Sequence, residues 1–213
     1  CGSILHYLDE TQHKKLEHIT KVNQIIDSNH VWMDQFTISN LELIYSNSSE
    51  GKSLIDIIDY TSSPMGARML KRWLIHPLLD LTKLNFRHSS VDEIKRNQDL
   101  LINLQSELKS LSDLERIIAK VVTFKISPRE LVQLKESLIK VKLIKDLLSD
   151  QSLKNLYKIN SSLDYCDSII NLLEKTLDNE APVNIKKGNI IKKNFSSDLD
   201  ELRSLSMSGK DYL

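Results

Sequence analysis

The chain is expected to be mainly α-helical, an irregular helical bundle with one short β-hairpin near its C-terminal end, and three observations predict this. Apolar residues recur at helical spacing along most of the sequence, most clearly at Leu131, Leu134, Leu138, Val141, Ile144 and Leu148, a period that places them on one helix face. Serine followed by proline opens two such runs, at Ser63-Pro64 and Ser127-Pro128. Serine accepts an N–H of the first turn, and proline at the first helical position has no N–H to leave unpaired. One stretch departs from this period: residues 182–195 alternate Val183 and Ile185 around Lys186-Lys187-Gly188-Asn189 and run into Ile190-Ile191, as a hairpin with a glycine turn would. Composition agrees, because 213 residues with 40% hydrophobic side chains, five Gly and four Pro hold too few breakers for a loop-rich or disordered chain.

In order, Ile4, Leu5 and Leu8, then Ile19 and Val22, predict a helix or broken helix over residues 3–21, largely exposed because the intervening residues are polar. Its histidines, His6, His13 and His18, are seven and five apart and miss the i, i+4 separation of a helical metal site, so they read as a solvated face. Residues 30–36 carry Val31, Trp32, Met33 and Phe36 without helical spacing, which suits a short strand or extended segment. Residues 37–45 fit either a helical turn or an edge strand, and 46–51 a loop. Gly51-Lys52-Ser53 ends like a phosphate-binding loop, yet Ser46 stands where the first Gly is required and no apolar strand precedes it, so no nucleotide site is expected.

Leu54, Ile55, Ile57 and Ile58 make a short helix. In the helix opened by Ser63-Pro64, Met65, Met69 and Trp73 recur every four residues and Leu70 and Leu74 widen the stripe. Gly66 lies one turn in, at a cost of roughly 1 kcal/mol relative to Ala, and is expected to admit a neighbouring backbone. Arg68, Lys71 and Arg72 line the adjacent face; Arg68 and Arg72 either pair with Asp56 or Asp59 or are solvated. His76-Pro77 stops this helix. Asp80 caps a helix over residues 81–104 carrying Leu84, His88, Val91, Ile94, Leu101 and Leu104. Ser112 and Glu115 have capping-box spacing before Leu114, Ile117, Ile118, Val121 and Val122, and Ser127, Pro128 and Glu130 repeat that start signal. A helix over 162–177 carries Leu163, Cys166, Ile169, Ile170 and Leu173, with Cys166 as a small buried apolar group. Lys186, Lys187, Lys192 and Lys193, with no acid from Pro182 to Ser197, form the only locally basic patch. It either touches phosphate or, the favoured reading, protects an exposed sheet edge. Ser197, Asp198 and Asp200 start a last helix through Leu199, Leu202 and Leu205.

The run Asp59-Tyr-Thr-Ser-Ser-Pro64-Met-Gly66-Ala-Arg68-Met-Leu-Lys-Arg72-Trp73-Leu-Ile-His-Pro77-Leu-Leu-Asp80 resembles the signature of the core (lever) domain of the MutS family of DNA mismatch-recognition proteins. Residues 32–43 before it, and 111–117, 127–131 and 184–205 after it, match the same family in the same order, so the similarity covers nearly the whole chain. The residues carrying the signature are Pro64, Gly66, Arg68, Arg72, Trp73, Pro77, Asp80, Glu115, Arg116, Ser127 and Pro128. The resemblance implies a non-catalytic portion that links ATPase state to a DNA clamp. It implies three parts: residues 1–30 as the end of a connector region with a linker helix, 31–195 as the core helical domain with its hairpin at 182–195, and 196–213 as the start of a lever helix leading toward the clamp. The parent is implied to be a homodimeric DNA-dependent ATPase, binding ATP and Mg outside this stretch. Its implied partners are the other domains of the same protein, mismatched duplex DNA and a MutL-type repair protein. The family's Phe-x-Glu wedge is missing: none of Phe36, Phe86, Phe124 or Phe195 has Glu two positions on.

Charge and chemistry narrow the function further. Twenty-nine basic and 29 acidic side chains give a formal net charge of zero, whereas a free-standing nucleic-acid module normally needs a basic excess to displace phosphate counterions. Cys1 and Cys166 make no metal-type spacing and suit a reduced, cytoplasmic compartment. No apolar run approaches the roughly 20 residues of a membrane span. There is no Gly-x-Ser-x-Gly or His-Glu-x-x-His pattern, so no catalytic, cofactor-binding or metal-ligating residue is expected. The sequence opens without Met inside a helical pattern, and is expected to be a piece of a longer polypeptide. Two alternatives stand beside the MutS reading: the core of a paralogue acting on recombination intermediates, and a helical protein-interaction scaffold.

Overall fold

A computed structural model describes residues 2–11 and 29–211. Among the described residues there are helices, turns and two isolated antiparallel bridges, His30–Leu78 and Leu177–Ile191, and no sheet. The first helix, α1 (Gly2–Glu10), pairs His6 with Glu10 at 3.4 Å on an exposed face; His13, His18 and the rest of the expected 3–21 helix lie outside the described residues. The expected extended segment is shorter than its apolar run. Residues 29–31 pair with 77–79, Val31 N–H donating to Pro77 O at 2.7 Å and Leu79 N–H to Asn29 O at 2.9 Å. Asp34 then opens α2 (Gln35–Asn40) by accepting the Thr37 N–H at 2.7 Å.

Most helix starts are built from local capping chemistry. Ser53 and Asp56 form a reciprocal box on α3 (Leu54–Ile58), Ser63 accepts the Gly66 N–H at the start of α4 (Pro64–Ile75), and Ser127 and Glu130 form the second box, on the 20-residue α8 (Pro128–Leu147). The helix expected over 81–104 is two helices, α5 (Leu81–Arg96) and α6 (Gln98–Ser110), broken at Asn97, whose side chain accepts the Leu100 N–H at 3.0 Å. Asn competes with helical bonding by capping, and here it caps the second helix. Asp113, not Ser112, starts α7 (Leu114–Val122) by accepting the Arg116 N–H; the Ser112 N–H instead donates to Ser137 Oγ of α8 at 3.1 Å.

Helix α9 (Lys154–Ser162) has no local side-chain cap, so the sequence gives no start signal there. Its cap is Glu93 of α5, which accepts the Asn155 and Leu156 N–H groups at 3.1 and 3.0 Å and the Asn155 amide at 2.7 Å. Helix α10 (Asp167–Thr176) begins later than expected. Cys166 is not on its stripe but precedes it in the left-handed region, φ 54°, half-buried, so its role as a buried helix-face residue is corrected.

Long α8 is the centre, packed by α6, α7 and α10, while α5 packs on α6 and α9. The larger core cluster joins Leu100 and Leu104 of α6, Leu111, Ile144 and Leu148, and Leu156 of α9, with Met65 of α4 against it. A second joins Val132 of α8 to Leu177 and Ala181, with Leu131, Leu173 and Ile190 around them.

The hairpin expected over 182–195 does not form. Asn184 accepts the Lys186 N–H at 2.9 Å and closes residues Ile185–Lys187 into a single 3-10 turn. The Asp178 N–H donates to Ile190 O at 2.8 Å and the Lys192 N–H to Thr176 O at 2.9 Å. The alternation was real, but its second half pairs with the end of α10, reached through the turn that buries Ala181, instead of with Val183 and Ile185. α11 (Ser197–Asp211) follows. No described helix is long and apolar enough to cross a membrane.

Candidate coupling junction

Four of the signature residues shape helix starts. Pro64 and Pro128 are the first residues of α4 and α8, Ser127 caps α8, and Asp80 opens α5 by accepting the Thr82 and Lys83 N–H groups at 2.8 and 3.2 Å. Pro77 holds the 29–31 segment through its carbonyl. Gly66 admits no neighbouring helix: a Cβ there would meet Ser63 Oγ at 3.2 Å and Thr61 Cβ at 3.4 Å, so what comes close is its own cap and the turn before it. The Met65, Met69 and Trp73 face is shared. Met65 meets the larger core cluster, and the Arg87 guanidinium of α5 lies 3.6 Å over the Trp73 ring, a cation–π stack that ties α4 to α5. Arg72 is exposed, and its carbonyl ends α4 by accepting the His76 N–H at 3.0 Å.

Arg68, Glu115 and Arg116 do converge, around an acid that sequence reasoning passed over. Arg68 Nη1 and Nη2 donate to Asp113 Oδ2 and Oδ1, each at 2.7 Å, while Nε and Nη2 reach Glu115 Oε2 at 2.9 and 2.5 Å. The planar guanidinium fork matches the carboxylate geometry, and it joins α4 to the start of α7. Arg116 Nε stands 3.4 Å from Asp113 Oδ2. The Arg68 guanidinium holds the Asp113 carboxyl below its ordinary value against a partial burial that would raise it, and the Arg116 N–H adds to the lowering. Asp113, then Glu115, raise Arg68 in turn. Asp56 and Asp59, the partners expected for Arg68, are engaged elsewhere: Asp56 accepts the Ser53 N–H and hydroxyl at 3.0 and 2.7 Å, and Asp59 the Thr61 N–H and hydroxyl at 3.0 and 2.6 Å. One signal could have found Asp113. It stands directly before Leu114, the first apolar residue of its helix, where an N-cap belongs.

A second ionic joint holds the other end of α7. The Lys120 ammonium donates to Glu130, whose other oxygen accepts the Ser127 N–H and hydroxyl, each at 2.9 Å. Lys120 first, then Ser127, push Glu130 down to about 2. The first turns of α8 pass the contact on, because Val132 and Leu131 lie in the second core cluster with Leu173, Leu177 and Ile190. Buried Lys135, 6% exposed, donates from the same helix to Asn179 Oδ1 at 2.5 Å.

The last joint fastens α11. The Lys192 ammonium donates to Glu174 O at 2.6 Å, a cation at the C-terminal end of the α10 dipole. Arg203 of α11 donates to Ile191 O at 2.8 Å and Asp200 at 3.0 Å, and the Asn194 N–H reaches Asp200 Oδ2 at 2.6 Å. Of the basic patch, Lys192 is therefore occupied in holding α10, whereas Lys186, Lys187 and Lys193 are exposed; with no hairpin formed, they guard no sheet edge. Among the described residues no group of three or more His, Cys, Asp or Glu could hold a metal ion. What the geometry provides is an unbroken series of contacts from α4 through α7, α8 and the end of α10 to α11.

Known proteins are similar to this chain along its whole length. The family profile described as MutS domain III matches residues 36–208. The DNA mismatch repair protein MutS of Flavobacterium johnsoniae is 47% identical over 213 residues, covering 100% of this chain and 24% of that protein. Its namesakes from Cytophaga hutchinsonii and Bacteroides fragilis are 44% and 43% identical, each covering 100% of this chain and 25% of the relative. The chain thus spans about a quarter of the length of the curated relatives it matches. The helical core, the α4 signature now placed in space and the profile match together identify the chain as a member of the MutS domain III family.

Proposed function

We propose that this chain is the non-catalytic core and lever base of a mismatch-repair MutS protein, carrying the nucleotide state of an ATPase elsewhere in the parent to a DNA clamp. The observation that supports it is the continuous relay: Arg68 to Asp113 and Glu115, Lys120 to Glu130, Val132 to Leu177, and Arg203 to Ile191. Packed cores and joints of this kind switch between discrete arrangements and do not deform continuously, which is what transmission over distance requires. In this reading residues 1–30 end a connector region, 31–195 form the core and 196–213 begin the lever. ATP and Mg bind outside the chain, the parent acts as a cytoplasmic homodimer on mismatched duplex, and a MutL-type protein is its repair partner. That the relatives are DNA mismatch repair proteins supports the repair assignment.

The test is a charge exchange in the full-length parent. Asp113→Arg and Arg68→Asp each place like charges across the α4–α7 joint, and the double variant restores attraction. Each single variant should keep basal ATP hydrolysis and lose its stimulation by mismatched duplex by about fivefold or more, the lower end of ordinary coupling energies, with partial recovery in the double variant, which restores the ion pair but not the Asp113 cap on α7. Full stimulation in both single variants would remove the relay from the mechanism.

A further inference from the structure

The fold leaves Lys186, Lys187 and Lys193 without a role. From Pro182 to Ser197 the chain carries four lysines and no acid, and the ammonium of only one, Lys192, is engaged, on Glu174 O. The other three are exposed and make no side-chain hydrogen bond, ion pair or cation–π contact with a described residue. Elsewhere folding brings acids to the cations: Arg68 and Arg116 meet Asp113, and Lys120 meets Glu130. Here it does not. Asp178 accepts the Glu180 N–H at 2.9 Å, Asp198 the Ser197 hydroxyl at 3.2 Å, and Asp200 holds Arg203 and the Asn194 N–H. Glu174, Glu180 and Glu201 are exposed, and none is in an ion pair with the three lysines.

The segment that presents them is preformed. Asn184 caps the Ile185–Lys187 turn, and the Gly188 N–H closes it on Ile185 O at 3.2 Å. Beyond the turn, Ile190 and Lys192 are pinned to the end of α10 and Ile191 to Arg203 of α11. Gly188 stands at φ 70° with nothing within 4 Å of where a Cβ would be, so the backbone between the lysines is open to close approach.

The side-chain types choose among polyanions. Carboxylates of a protein partner are best matched by the planar arginine fork, and lysine is depleted at protein interfaces. Lysine is a flexible point charge that neutralises phosphates without a fixed geometry. Three free lysines and no free arginine between Pro182 and Ser197 therefore suit a phosphate backbone, held without reading its sequence.

We propose that Lys186, Lys187 and Lys193 form a phosphate-contacting loop at the root of α11, against which the parent holds the backbone of its nucleic acid. The proposal rests on the reading of the parent as a duplex-binding repair protein and adds a contact inside this chain. With a formal net charge of zero the 213 residues are not expected to hold duplex by themselves, so the contact is measured in the full-length parent.

Fluorescence anisotropy gives duplex affinity across about 50–200 mM salt. It is applied to the unaltered parent, to the triple variant Lys186→Gln, Lys187→Gln, Lys193→Gln, and to its counterpart with Arg at the same three positions. Each neutralised phosphate contributes about 0.9 to the slope of log K against log salt. The Gln variant should therefore lose roughly 2–3 of that slope, equally on perfectly paired and mismatched duplex, and the Arg variant should keep it. The melting temperature of the Gln variant should not change, because the three side chains touch nothing; a lowered one would make the lysines structural and overturn the assignment. An unchanged slope overturns it too, including where the Gln variant instead loses binding to an acidic protein, as does a loss confined to mismatched duplex. A parent that holds duplex with a slope unmoved by the Gln variant removes the loop and leaves the coupling role standing. A parent without affinity for duplex removes both.

Discussion

Removing the Glu93 carboxylate should uncap a helix 61 residues further along the chain (93 to 154). Three donors converge on it: the N–H groups of Asn155 and Leu156 and the Asn155 side-chain amide, all within 3.1 Å. Leu156 is 2% exposed, so in Glu93→Ala its N–H loses its acceptor where water has little access, at a cost of about 1–3 kcal/mol. The negative charge at the N-terminal end of the α9 dipole adds roughly 0.5 kcal/mol. For a chain of this size about 2–4 °C of melting temperature corresponds to each kcal/mol, so a loss near 2–3 kcal/mol gives a shift of about 4–12 °C. Thermal unfolding by far-UV circular dichroism reads the whole-chain effect, and hydrogen exchange at Leu156 reads the local one.

The pH dependence supplies an independent sign. Burial pushes the Glu93 carboxyl up, but the Leu156 and Asn155 hydrogen bonds outweigh it and hold the group below its ordinary 4.5. A carboxylate depressed in the folded state contributes stability that is fully present above its unfolded value and is lost as pH falls through the folded one. Glu93→Gln, which keeps the shape without the charge, should therefore differ from the parent sequence at pH near 7 and converge with it well below pH 4.5. A Glu93→Ala melt within a degree of the unaltered chain, or a difference that widens as pH falls, would refute the trans-cap.

Three further substitutions probe the same framework. Leu156→Ala opens a cavity in the larger cluster and should destabilise by about 2–5 kcal/mol, several times the loss from the exposed-site control Ile102→Ala by urea denaturation. Ser127→Ala removes the α8 cap at about 1 kcal/mol; because Lys120 and Ser127 hold Glu130 near 2, the stability tied to that carboxylate should persist down to about pH 4.5 and fade between there and pH 2, as acid titration of Glu130→Gln against the parent will read. Gly66→Leu should lower the melting temperature by several degrees by crowding Ser63 and Thr61, whereas Gly66→Ala, which gains about 1 kcal/mol of helix propensity, should stay near neutral; an unchanged Gly66→Leu melt removes the crowding.

What was legible in the sequence was local. Ser63-Pro64 and Ser127-Pro128-Glu130 announce their helices because cap and first turn are neighbours in the chain, and both helices begin where they were expected. The break at Asn97 and the cap at Asp113 were also written locally, but an uninterrupted apolar period masked the first and a competing Ser112–Glu115 spacing masked the second. What could not be read depended on distant partners. Arg68 meets acids 45 and 47 residues away, α9 borrows its cap from α5, and Ile190 and Ile191 pair with the end of α10. For the segment at 182–195, alternation picked out Ile190 and Ile191, which do pair with another backbone, but Val183 lies in a bend and Ile185 in a 3-10 turn.

The two classes of contact also divide the molecule by strength. Leu100, Leu104, Ile144, Leu148 and Leu156 form a continuous apolar cluster, which salt does not weaken and which gives way only by cavity formation or unfolding. The joints on α7 are of the other kind: the Arg68 guanidinium is one-third exposed and Lys120 half exposed, so both are screened by salt. A relay that changes state should do so where its contacts are cheapest to exchange, at the two ends of α7, with α5, α6, α8 and α9 moving as one piece. Raising ionic strength should therefore increase hydrogen exchange in α7 well before it does so in α6 or the middle of α8. Uniform loosening of α6, α7 and α8 would place the compliance in the core and take α7 out of the role of hinge.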